Sequence, residues 1–177
     1  MKNLFNDLSK TRFLLSSFGG ILLCVVGFYW LERVMGLSIL DVLPRYDLEL
    51  VEKSMIGYGE EGRRIYAWAS LTLDTLFPIC YSTFFAGLIA LFAGKSFLRW
   101  LALVPFALGL IDLGENIQIF SMLVQFPDIT EYQVNLASYT TSIKHATVIT
   151  VYSLVAFLAG YALIKRVIRR FMKTETL

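Results

Sequence analysis

Apolar positions in this chain fall into four long runs, residues 13–31, 65–93, 100–126 and 138–164, parted by stretches that carry most of the charge. Crossing a bilayer as a helix takes about 20 predominantly apolar residues. Each run therefore predicts one span, at about residues 13–34, 63–93, 97–126 and 137–166. The longest polar connection lies between the first two. There Pro44 breaks the chain, Asp47 can cap a helix, and Leu48, Val51 and Met55 repeat at helical spacing. This predicts a short interfacial helix over about 47–56, ended by Gly57, serving either as packing or as a lid. Before the fourth run, Asp128-Ile129-Thr130-Glu131 follows Pro127 and reads as a helix-starting box. The expected fold is all-α: one integral membrane four-helix bundle over residues 1–177, with a short interfacial helix in the first outer connection.

Composition strengthens the membrane assignment. Hydrophobic residues make up 56% of the 177 and mean hydropathy is +0.63, where soluble domains hold roughly 45–50% apolar residues. The first run follows Lys2, Lys10 and Arg12 but is too long for the core of a secretory signal. No small-x-small cleavage site follows it, so it reads as an anchor. Ser16, Ser17, Gly19 and Gly20 offer it a small face for close helix packing. Cys24 and Cys80 form no Cys-x-x-Cys pair, which argues against a thiol-exchange membrane oxidoreductase.

Charge sets the expected orientation. Ten of the sixteen Lys and Arg residues lie in the N-terminal tail, the Lys95–Arg99 turn and the tail from Lys165 to Lys173. Basic flanks stay on the cytoplasmic side, so both termini are expected to be cytoplasmic, in the bacterial cytoplasmic membrane.

The candidate chemistry lies inside the runs. Asp112, Glu115 and Asn116 stand at i, i+3 and i+4 in the third run, on one helix face. An ionisable group at mid-membrane costs roughly 2.5–3.5 kcal/mol on insertion scales and is normally paired or used. In the second run Arg63, Ala67, Ser70, Asp74, Pro78 and Tyr81 share a face. Pro78 has no N–H to give to the Asp74 carbonyl, which leaves a free acceptor beside that carboxylate. The fourth run brings Lys144 and His145, with Tyr152 two turns on. Depth along each span places all of these between the midplane and the outer surface, as one chamber shared by three helices. Its acids outnumber its one certain cation, Lys144. Asp112 and Glu115 as neighbours are not both cheaply ionised in low dielectric, so Glu115 is expected to be the acid held for a proton or ligand. One histidine among scattered acids lacks the spacing of a metal site.

The Asp74-Thr75-Leu76-Phe77-Pro78-Ile79-Cys80-Tyr81 segment followed by Asp112-Leu113-Gly114-Glu115-Asn116 resembles a family of bacterial four-span membrane proteins. In these a D-x-x-F/Y-P-x-x-Y helix precedes a D-x-x-E-N helix. The resemblance covers about a third of the chain and implies the architecture; it brings no activity. The asparagine-rich signatures of lipoprotein signal peptidases are absent. No motif of the emopamil-binding, sterol-isomerase group is matched.

Three functions stay open. The pocket of Asp74, Tyr81, Asp112, Glu115, Asn116, Lys144, His145 and Arg63 could bind or transport a proton or a cationic, lipophilic small molecule. It could perform acid–base chemistry on a lipid-like substrate, with no catalytic residue assigned. Or its acids could be structural, in a scaffold. No cofactor is expected, and no Gly-rich phosphate loop or other feature points to nucleic acid. Membrane lipids, a lipophilic small molecule and a second copy of the chain are the partners such a bundle admits.

Overall fold

The computed structural model describes residues 2–174, apart from the side chains of residues 2, 3, 170, 173 and 174. The basic groups of Lys2, Arg170 and Lys173, counted above for orientation, thus lie outside the described residues. Five helices follow one another: α1 (Lys2–Leu8), α2 (Thr11–Met35), α3 (Leu48–Ala93), α4 (Val104–Gln125) and α5 (Glu131–Thr174). Two 3-10 turns, Leu40–Val42 and Phe97–Leu103, interrupt the connections. Four segments are long and apolar enough to cross a membrane: Thr11–Met35, Leu48–Ala93, Phe97–Gln125 and Glu131–Arg169. The outside of the bundle is apolar, with Leu110 71% and Ile117 66% exposed. Water does not tolerate such a continuous surface, whereas lipid solvates it. The chain is a multi-pass, all-α membrane protein.

α3 contains two helices. Its first segment, residues 48–58, starts on Asp47, whose Oδ1 accepts from Leu50 N at 2.9 Å. The break falls at Gly59, with φ 65° and ψ 178°, not at Gly57 as the sequence predicts. Gly57 lies within the helix; of the two, Gly59 adopts the positive φ that glycine carries without a steric penalty. Val51, Met55 and Tyr58 bury themselves against Leu31, Met35, Leu40, Met122 and Ala137. The short helix closes one end of the bundle as packing.

The connection before it, residues 36–47, is folded into the bundle rather than laid over it. Ile39, Leu40 and Tyr46 are almost fully buried. Irregular backbone inside a membrane bundle needs partners from the protein, and side chains provide them. Leu40 N donates to the Tyr66 hydroxyl at 3.0 Å and Tyr46 N to Ser138 Oγ at 3.0 Å. Tyr58 OH donates to the Ser38 carbonyl at 2.7 Å, and Ser142 Oγ to that of Pro44 at 3.1 Å.

At the opposite end α1 docks, an element the hydrophobic pattern does not predict. Phe5 and Leu8 pack with Ala86, Ile89, Ala90, Ala102 and Leu158, and Phe5 meets the Trp100 ring edge-on at 5.8 Å. Gly87 makes this approach possible, since a Cβ there would stand 2.6 Å from the Leu8 carbonyl oxygen. α5 starts on Thr130 rather than on the predicted Asp128–Glu131 pair. Thr130 N donates to Gln133 Oε1 at 2.9 Å and Gln133 N returns the bond to Thr130 Oγ1 at 3.2 Å, a reciprocal capping box shifted by two residues.

The spans do not close into a ring. α3 packs against α2, α4 and α5, and α4 against α5, while α2 rests chiefly on α3. Of the small residues foreseen on α2, Gly20 faces Cys80 of α3 and Gly19 has nothing near it. A cleft is left between α2 and α5, floored by α3 and α4.

Candidate functional site

The cleft holds a cavity of about 690 Å³, within the usual 300–1,000 Å³ range of ligand sites. Its polar end is built by Asp41, Asp74, Asp112, Lys144 and His145, with Glu32 and Tyr81 also on its wall. The rest of the lining is apolar and aromatic.

Lys144 is the hub. Its ammonium pairs with Glu115 Oε2 and lies 3.4 Å from Asp112 Oδ1 and 3.9 Å from Asp41 Oδ2. It also donates to the Asp41 carbonyl at 3.3 Å. The carboxylates arrive from two places: Asp112 and Glu115 from one face of α4, and Asp41 from the folded-in connection. Glu115, fully buried, accepts from the Thr141 hydroxyl on its other oxygen. Tyr46 OH lies 3.1 Å from Thr141 Oγ1, which joins connection, α4 and α5 at one point. Burial pushes the Tyr46 phenol up to about 12.

The floor is tied by two further bonds. Tyr81 OH donates to Asp112 Oδ2 at 2.8 Å. Asn116 Nδ2 donates to the Asp74 carbonyl at 2.6 Å, the acceptor that Pro78 leaves free. Neither Glu115 nor Asn116 reaches the cavity wall; both stand behind it. His145 does line it, with Nδ1 2.9 Å from the Thr141 carbonyl.

Asp74 differs from the other acids. It is 5% exposed, and that remnant faces the cavity. Among the described residues its carboxylate has neither a hydrogen-bond donor nor an ion-pair partner, although its backbone is held by Asn116. Glu115, expected from the sequence to be the acid held for a proton or ligand, is the one most firmly paired, because Lys144 and Thr141 both reach it across the α4–α5 interface.

Two assignments change. Arg63 stands outside this site: it donates to the Met55 carbonyl at 2.7 Å and stacks over Phe126 at 4.8 Å. Its direction is set by the break at Gly59, which leaves the Met55 carbonyl within its reach. Asp41 is the acid that sequence reasoning passes over. It lies 103 residues from Lys144 and outside every hydrophobic run, so neither periodicity nor depth marks it. The one available signal is a carboxylate inside the apolar stretch Ile39-Leu40-Asp41-Val42-Leu43. Burial raises its pKa, with Asp112 adding to the rise and the Lys144 ammonium opposing it.

Three carboxyl groups, of Asp41, Asp112 and Glu115, thus converge around one ammonium, with Asp74 beside them on the cavity wall. Among the described residues no three His, Cys, Asp or Glu side chains are arranged to hold a metal ion; the ammonium occupies the centre of the group. No family model, curated protein or solved structure matches the chain.

Proposed function

We propose that the cleft binds a membrane-soluble organic cation, with Asp74 as the acid that receives the positive charge. The observation that carries this reading is the unpartnered Asp74 carboxylate, nearly buried and facing a cavity large enough for a small molecule. A buried carboxylate without a donor is costly, and a cation in the cavity relieves that cost. Lys144 holds Asp112, Glu115 and Asp41 in place, so the paired acids form the frame and Asp74 the receptor. The basic-residue bias supports a site near the outer surface, with both termini in the cytoplasm. Cysteine labelling checks the sidedness. In a background lacking Cys24 and Cys80, membrane-impermeant reagent should reach Lys53→Cys and not Ser96→Cys in intact cells.

The test of binding uses benzylamine against benzyl alcohol, its neutral isostere, with the purified protein in nanodiscs. Benzylamine should raise the melting temperature in a saturable way, benzyl alcohol should not, and Asp74→Asn should abolish the difference. Equal effects of amine and alcohol, or a full amine effect in Asp74→Asn, would overturn the reading.

The Tyr81–Asp112 hydrogen bond on the cavity wall favours a second reading, proton transfer on the bound molecule. Tyr81→Phe distinguishes them, since it should leave benzylamine binding intact in either case and stop turnover only in the second.

A further inference from the structure

The cavity is a long cleft with its charge at one end. On α2 its wall is formed by residues 18, 21, 25, 28, 29 and 32, spaced by three and four apart from the adjacent pair 28 and 29, so that one face of the helix follows the cleft. The fourteen steps from Phe18 to Glu32 correspond to about 21 Å of helix at about 1.5 Å per residue. The facing stripe on α3 runs the opposite way, so like meets like. Phe18 packs with Phe84 at 5.5 Å between ring centroids, and Phe28 with Phe77 at 5.4 Å. Glu32 thereby falls at the end that holds Asp41 and Lys144, and the linked rings of Phe18, Phe84, Phe85 and Tyr152 fill the other. The rim is unlike a closed core: Phe18 is 44% exposed and Val25 50%, both on the side where α2 and α5 leave a gap.

The geometry points to an amphiphile with one hydrocarbon chain as the ligand: its cationic head lies at Asp74 and its chain runs along α2 toward Phe18, reached sideways from the bilayer between α2 and α5. This rests on the cation-binding reading above and specifies the molecule. A proton or an inorganic cation uses only the acidic end and leaves the apolar length without a purpose. Lipid-facing rims let such a chain slide in without leaving hydrocarbon, and the buried connection of residues 36–47 covers the acidic end.

A series from butylamine to hexadecylamine in nanodiscs, each compared with the alcohol of equal length, separates site binding from partition into lipid. The amine-specific affinity should rise at least tenfold along the series in the native protein. Val25→Trp on α2 and Val148→Trp on α5, where Val148 lines the facing wall, each fill the middle of the cleft without touching the acids. Each should cut that gain at least fivefold while butylamine and benzylamine bind as before. Trp on a lipid-facing position elsewhere, Leu110→Trp, should change nothing. If chain length adds no amine-specific affinity, or if the two cleft variants keep the full gain, the chain does not lie there. Loss of benzylamine binding in the native protein would instead overturn the cation reading itself.

Discussion

Asn116 on α4 donates from Nδ2 to the backbone carbonyl of Asp74 on α3, 2.6 Å away. The bond exists because Pro78, four residues after Asp74, has no N–H to offer. A defect in one helix is thus completed by the side chain of another, and the completion fixes the turn of backbone that carries the unpaired acid.

That dependence is testable. Asn116→Leu strands a buried carbonyl, at a cost of about 1–3 kcal/mol, and should lower the melting temperature in nanodiscs by several degrees. Pro78→Ala returns an N–H at the right place in the same helix. The double variant should therefore be more stable than Asn116→Leu alone; no recovery would show that the carbonyl is not the seat of the loss.

The two kinds of acid should respond oppositely to neutral amides. Glu115→Gln leaves Lys144 with a weaker partner in a buried site, where breaking a pair costs roughly 3–5 kcal/mol, so the melting temperature should fall. Lys144→Met should be at least as harmful, and the two together less than additive. Asp74→Asn should hold or raise the melting temperature, because it removes a buried charge that has no partner. Thermal denaturation of the four variants decides it, and a loss in Asp74→Asn equal to that in Glu115→Gln would contradict the division.

Asp41 gives stability a pH dependence of known sign. Its carboxyl pKa is raised above the ordinary 3.8, so the folded protein holds that proton more tightly than the unfolded chain. The contribution is complete below the ordinary value and is lost as pH climbs through the raised one. The groups facing it are Lys144 from α5, Asp112 from α4 and Tyr66 from α3. Asp41→Asn has no such proton to lose. Its melting temperature relative to the native protein should improve steadily as pH increases from 4, and a constant difference would rule the effect out.

Gly87 and Gly19 make a matched pair. Gly87→Ala drives a methyl into the Leu8 carbonyl and should loosen α1, seen as several-fold faster amide exchange over residues 4–8. Gly19→Ala meets nothing and should gain up to about 1 kcal/mol from helix propensity.

The hydrophobic runs make the four spans legible, and the three-and-four spacing makes legible which faces of α3 and α4 turn inward. Pro78 even signals the free carbonyl. What stays hidden has a common physical origin: contacts between segments far apart in sequence leave no local period. Asp41 reaches Lys144 only because the connection folds inward. Arg63 turns away because of a break at Gly59 that a second nearby glycine, Gly57, masks. Thr130 wins the cap over Asp128 because the turn after α4 takes up Asp128 and Ile129, whose N–H groups bond back to the Gln125 and Pro127 carbonyls.

The connection of residues 36–47 also dates the protein's completion during synthesis. Asp41, Asp74, Asp112 and Glu115 all leave the ribosome before Lys144, and Tyr46 before its partners Ser138 and Thr141. A nascent chain carrying α2, α3 and α4 therefore has its acids without their ammonium and its irregular backbone without the hydroxyls of α5. α5, made after the other three spans, is the helix that brings the ammonium, so a chain stopped short of it remains an unfinished bundle, open to water or to quality control.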